Sequence, residues 1–272
     1  MAAITAKDVK QLRDATGVGM MDAKNALVAT EGDFDAAGKW LLERGLAKSA
    51  ERAHRENSQG CVAVARDEGV AALVQLRSET DFVAKSPDFT ALAQALADAV
   101  AARGEGAVAE LAERLDELKI TRKENIDVGT VVRFEAAPGN VLDTYLHVQA
   151  ERGVNGVVVE IAGGDAELAH EVAVSIAFNR PAHLSREDVP AEVVAEQRAM
   201  LETQTRNEGK PEVAMEKIVS GKLTGFFKEV GKPGSPKGVL LEQAYPKDEK
   251  QSIAQFLGGA SVVRFAQIEI GA

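Results

Sequence analysis

Few side chains in this 272-residue sequence could do covalent or metal chemistry: one cysteine, Cys61, and four histidines, His54, His147, His170 and His183. A nucleophilic hydrolase needs a serine or cysteine activated by a base, and the Gly-x-Ser-x-Gly turn that presents such a serine is absent. Cys61 lies in an apolar alternation, which suits an inert buried thiol better than a reactive one. A single cysteine excludes an intramolecular disulfide and a cysteine-based zinc cluster, and no two histidines share metal-ligand spacing on one element. Residues 225–232 resemble a phosphate-binding loop only loosely. Five residues separate Gly225 from Gly231 where four are required, and Pro233 stands where a magnesium-binding hydroxyl belongs. Gly17-Val18-Gly19 lacks the third glycine and the preceding strand of a dinucleotide fingerprint. Paired acids such as Asp33 with Asp35, or Asp248 with Glu249, sit in polar runs and read as solvated. No active site assembles, and no cofactor or metal is expected, so the chain is read as acting through its surfaces.

One segment has the character of a contact surface. Leu73, Val74 and Leu76 read as a buried strand, and the polar residues 78–81 leave it just before Phe82. Phe is scarce, nine residues in the chain, so a Phe beside an Asp at a strand exit is either a core plug or a projecting wedge. On residue type alone the plug is the commoner case.

The elements that must position these residues are predicted as follows. The first 55 residues form a module of three short helices. Thr5 with Asp8 reads as a capping box, Val9 and Leu12 supply an apolar face, residues 16–19 end the first helix, and Gly32-Asp33 precedes a third carrying Trp40, Leu41 and Leu42. A polar stretch, 47–59, leads as helix or extended linker into strand, strand and an Ala/Leu helix over 89–102. Another helical segment at 111–118 and a strand at 131–135 follow. Residues 69–74 and 153–158 hint at a repeat of about 84 residues, each followed by an Asp-containing loop and a helix; two similar hairpins arising by chance compete with this reading. Residues 186–230 read as an inserted helical hairpin, its second arm striped by Met215, Ile218, Val219, Leu223, Phe226, Phe227 and Val230. A final strand over 262–270 has Val263, Phe265 and Ile270 as its sheet-facing residues. The class is α+β: a helical module at 1–55 and two related α+β subdomains with antiparallel sheets at 56–140 and 141–272, the second interrupted by the hairpin.

Charge narrows the partners. The formal net charge is -10 and the isoelectric point is about 5.1, which argues against direct nucleic-acid binding except through a local basic patch. The N-terminus lacks a cationic start followed by an apolar run, and no stretch approaches the roughly 20 apolar residues that span a bilayer. A soluble, cytoplasmic protein is expected.

Residues 12–27, Leu-Arg-Asp-Ala-Thr-Gly-Val-Gly-Met-Met-Asp-Ala-Lys-Asn-Ala-Leu, and residues 79–85, Glu-Thr-Asp-Phe-Val-Ala-Lys, together closely resemble translation elongation factor Ts in order and spacing. Residues 187–194 and Gly209-Lys210-Pro211 look like that family's helical hairpin, so the resemblance covers essentially the whole chain. It implies a guanine-nucleotide exchange factor for elongation factor Tu, without covalent chemistry, and a first module like a ubiquitin-associated domain. Ala23 stands where many relatives have Cys, and the sequence ends at Gly271-Ala272, without the C-terminal helical module of some members.

By the same resemblance, Thr80, Asp81, Phe82 and Val83 intrude on the partner and dislodge its magnesium, with Phe82 as wedge and therefore exposed. Met20, Met21 and Lys24 form a second grip; since two adjacent helical positions cannot be equally buried, one methionine is expected inside and one outside. His147 is a weaker candidate contact to another partner domain. The hairpin stripe either closes on itself or pairs two copies into a homodimer or two-to-two complex. A rival reading is an adaptor that binds peptides or ubiquitin-like domains through the first module, which leaves Phe82 without a role.

Overall fold

Thr5 begins the first helix in the way its neighbours predict. Its hydroxyl accepts from the Asp8 amide at 3.3 Å while the Asp8 carboxylate accepts from the Thr5 amide at 2.8 Å. In the computed structural model, which describes residues 4–271, this cap opens α1 (Ala6–Thr16), followed by α2 (Met20–Ala29) and α3 (Phe34–Arg52). Gly17, at φ 68°, takes the left-handed turn that ends α1. The three helices share a core of Val9, Leu12, Val18, Ala23, Ala26, Leu27, Ala37 and Leu41. Helix α3 runs on through Arg52, so the first half of the polar 47–59 stretch is helical.

The remaining elements are β1 (Gln59–Asp67), β2 (Val70–Ser78), α4 (Asp81–Ala84), α5 (Pro87–Arg103), α6 (Ala112–Arg122) and β3 (Asp127–Glu135). After them come β4 (Val141–Gln149), β5 (Arg152–Ala162), α7 (Ala166–Asn179), α8 (Ala191–Asn207), α9 (Met215–Phe227), β6 (Ala244–Tyr245), β7 (Asp248–Ser252), α10 (Ile253–Leu257) and β8 (Ser261–Glu269). Two three-stranded antiparallel sheets result, ordered β1-β2-β3 and β4-β5-β8. Each has its central strand followed by a long helix and then by the outer strand, so the repeat seen in residues 69–74 and 153–158 is a repeat of topology. The architecture is α+β.

Side-chain alternation orders the layers. Ala72, Val74 and Leu76 of β2 face α5, where Phe89, Leu92, Leu96 and Val100 complete the first core. Ala71 and Leu73 of β2 face the other way and meet Leu142, Val158 and Ile268 of the second sheet. Val157, Val159 and Ile161 of β5 turn toward α7. The sequence of layers is helix, sheet, sheet, helix. Both central strands are buried on two faces, which is why they read as continuous apolar runs. Gly153 and Gly156 let the sheets approach: a Cβ on Gly153 would lie 2.2 Å from the Val62 carbonyl oxygen, and one on Gly156 2.6 Å from Val62 Cγ1.

The last strand departs from its predicted alternation. Its register slips where Glu160 faces Arg264 and Ile161 faces Val262. Val263 is the extra residue of that bulge and is 45% exposed, while Val262 and Ile268 are buried. The short elements β6, β7 and α10 carry too few residues for any period to announce them. Helices α8 and α9 form the hairpin, closed by Leu201, Met215, Val219 and Leu223. Among the described residues no helix is long and apolar enough to cross a membrane.

Glu160 joins the two halves. Its carboxylate accepts from the Ala137 amide at 2.8 Å, Asn140 Nδ2 at 2.7 Å and Arg264 Nε at 2.7 Å. Burial alone would raise its pKa, but the hydrogen bonds from Asn140, Ala137 and Arg264 outweigh it and hold the carboxyl below its ordinary value of 4.5. A lowered folded-state pKa stabilises above the unfolded value, and that contribution is lost as pH falls through the folded one. Glu160→Gln should cost about 1–3 kcal/mol at neutral pH, with the deficit shrinking below about pH 4, read from urea midpoints across the acid range. Gly153→Ala must push the sheets apart and should lower stability by about 1–3 kcal/mol in the same assay.

Candidate functional site

Strand β2 ends at fully buried Ser78, and the chain leaves it through a hydrogen bond from Ser78 Oγ to the Thr80 carbonyl at 3.1 Å. Thr80 caps α4, its Oγ1 accepting from the Val83 amide at 3.3 Å. A four-residue helix cannot sustain itself, and this one is held at both ends and underneath. Ala84 is wholly buried and Val83 packs on the first core. Ser86 Oγ closes the turn on the Val83 carbonyl at 2.8 Å. From across the fold, Glu124 Oε2 accepts from the amides of Glu79 and Thr80 at 3.1 Å each, and Glu124 Oε1 accepts from Thr80 Oγ1 at 2.5 Å. Glu79 in turn accepts from the Asn125 amide at 2.6 Å and meets Arg55 at 3.5 Å.

What this scaffold presents is Phe82, 77% exposed. Phe82 projects into solvent, as the family resemblance implies, and is not the core plug favoured by residue type. Lys85 Nζ lies 2.8 Å from Asp81 Oδ2 and 4.9 Å from the centre of the Phe82 ring. The hydrogen bond from Lys85 lowers the Asp81 pKa, with partial desolvation opposing it, so Asp81 is an anion well below neutral pH. Arg152, which donates to the Gly60 carbonyl at 2.6 Å, adds a further positive charge facing Asp81.

The N-terminal candidates lie on α2. Ala23, Ala26 and Leu27 are its buried residues. Met20 is 45% exposed and Met21 64%, with Lys24 and Val28 also outward. The expectation of one methionine inside therefore fails: both are exposed, and Val18, just before the helix, is the residue of this stretch buried in the core with Ala23, Ala26 and Leu27. Asp22, between these residues, pairs with Lys123 at 3.1 Å.

His147 stands exposed on β4, its Nδ1 3.4 Å from Tyr145 Oη. Among the described residues no hydrogen bond or ion pair joins it to α2 or α4. The structure thus links α4 to α2 through the Lys123-Glu124-Asn125 turn and leaves His147 apart. Glu124 and Lys123 escaped the sequence reading because their partners are 44 and 101 residues away. No local pattern marks such a pair.

Cys61 is buried, and burial pushes its thiol up to about 12. Asp143 holds His170 Nδ1 at 2.8 Å and is also paired with Arg66, but among the described residues no serine or cysteine hydrogen-bonds that ring. No group of three metal-ligating side chains occurs among the described residues. Clefts of 440 Å³ and 750 Å³ are lined by other parts of the surface, without residues 79–85.

The family described as Elongation factor TS matches residues 79–272, a span that opens at Glu79. Elongation factor Ts of Clavibacter sepedonicus is 42% identical over 286 residues, covering 100% of both chains. That of Mycolicibacterium vanbaalenii is 42% identical over 285 residues, 100% of this chain and 99% of its own. That of Kineococcus radiotolerans is 43% identical over 286 residues and covers 100% of both. The chain belongs to the elongation factor Ts family and is a translation elongation factor.

Proposed function

We propose that this protein is the guanine-nucleotide exchange factor for elongation factor Tu. In this reading it binds the GDP form, displaces magnesium and lets GDP leave so that GTP can enter. A GTPase holds GDP through its phosphate loop and a magnesium ion, so exchange requires only that those contacts be weakened. A factor that prefers the nucleotide-free state does this by linkage: it loosens GDP as much as GDP loosens it, about 1.4 kcal/mol per tenfold change.

The observation that carries the reading is Phe82, a large apolar ring 77% exposed on a helix pinned in place from three sides. Leaving such a ring in water has no benefit to the free protein, whereas a partner gains its burial. In the proposed complex Thr80 and Val83 anchor the element, Phe82 enters the partner, and Asp81 exchanges its pairing with Lys85 for donors there. Met20, Met21 and Lys24 provide the second grip, a use suited to methionine's adaptable side chain, and His147 touches a further partner domain. We take the chain as three units, 1–55, 56–140 and 141–272, the last carrying the 186–230 hairpin; the separate cores of the first helices and of the two sheets support that division. Packing of α8 on α9 supports closure of the hairpin on itself over pairing of two copies. The cytoplasm, where translation takes place, is the proposed location.

An adaptor without exchange activity would need the outward face of α2 but gives Phe82 no purpose. The two readings separate in one assay, release of fluorescent GDP from elongation factor Tu. The protein is expected to accelerate release, and Phe82→Ala to reduce that acceleration about tenfold, or about 1.4 kcal/mol. Because the ring is exposed, the same substitution should leave folding stability within about 0.5 kcal/mol. Equal release with and without the protein would eliminate the exchange reading.

A further inference from the structure

Resting on that reading, we infer that the turn Lys123-Glu124-Asn125 sets the spacing between the two partner-binding elements, with Glu124 as a positioning residue for nucleotide release. Each side chain of the turn reaches a different part of the protein. Lys123 pairs with Asp22 on α2, between Met21 and Lys24, at 3.1 Å. Glu124 accepts three hydrogen bonds from Glu79 and Thr80 at the start of α4. Asn125 Nδ2 donates to the carbonyls of Ala53 and Arg55, at 3.2 and 2.6 Å, and so holds the segment between α3 and β1.

The turn is itself fixed. Lys123 adopts the left-handed conformation at φ 59° as the C-cap of α6. Buried Leu118 and Ile126, on either side, sit in the first core. Ile120 packs on the core of the first three helices, against Gly45, where a Cβ would come within 2.6 Å. One rigid turn therefore contacts both the grip and the wedge. For a ligand bound at two places, held spacing makes the second contact effectively intramolecular. Glu124 in addition fixes the direction of a helix too short to hold itself, and hence of Phe82.

Two separable effects follow. Glu124→Ala should lower the maximal rate of GDP release about tenfold with little change in half-saturating concentration, because binding remains while the wedge is misdirected. Asn125→Ala should raise the half-saturating concentration about threefold or more and leave the maximal rate within about twofold, because the spacing loosens. A residue acting through Phe82 has nothing left to act on once the ring is gone. The double variant Phe82→Ala, Glu124→Ala should therefore release GDP within about twofold of Phe82→Ala alone. Independent, multiplying losses would make Glu124 a general structural residue and overturn the inference. So would an Asn125→Ala variant with unaltered half-saturation. Thermal melting of each variant checks folding; if Glu124→Ala does not fold, Glu124→Leu keeps a similar volume with no acceptor, and a wild-type rate for it also overturns the inference. Should wild type accelerate release and Phe82→Ala impair it while Glu124→Ala does not, the exchange reading stands and this one falls. Should wild type itself be inert, the exchange reading fails first.

Discussion

The layering of helix, sheet, sheet and helix depends on the contact of the two sheets at Gly153 and Gly156. With no side chain at either position, β5 comes close enough for its backbone to meet Val62 of β1, and the apolar faces of β2 and β5 close on each other. That contact forces the long helices to the outside, α5 over one sheet and α7 over the other. A strand buried on two faces is a stiff base from which to project a loop, since moving it would disturb two cores at once.

The two sheets use that base differently. After β5 the chain turns through Gly163 and Gly164 into Asp165, whose carboxylate caps α7 on the Leu168 amide at 2.9 Å, and nothing protrudes. After β2 the equivalent exit carries an additional turn of helix, α4, before α5 begins. The order of strands and long helix is the same in both copies, and of the two strand exits the one after β2 carries the exposed ring of Phe82. Stability and display are thus divided: the repeat supplies a doubled scaffold, and a few residues inserted at one exit supply the surface.

How much of this the sequence could reveal depends on the range of the interaction. The Thr5 cap, the stripe Val9 and Leu12, and the runs in β2 and β5 are legible because their cause lies within a few residues. The repeat was visible for the same reason, in glycine and valine patterns. Met20 and Met21 depart from expectation because the buried face of α2 is supplied by Ala23, Ala26 and Leu27, and the methionines at its first turn lie off that face. Val263 misled because a bulge shifts alternation by one and is set by the partner strand. The 79–85 segment drew notice from its residue types, and its role from family resemblance. Glu124 and Lys123 could not be found in either way, because a surface acid and a surface lysine are ordinary until the fold brings Thr80 and Asp22 to them.

Phe82 also bears on how the free protein behaves in solution. An exposed aromatic ring invites contact between copies, yet here Lys85 Nζ lies over it, 4.9 Å from its centre, and sets a positive charge against the apolar face. The net charge of -10 spreads repulsion over the rest of the surface. The ring is therefore flanked by a cation while the chain as a whole repels its own copies by charge.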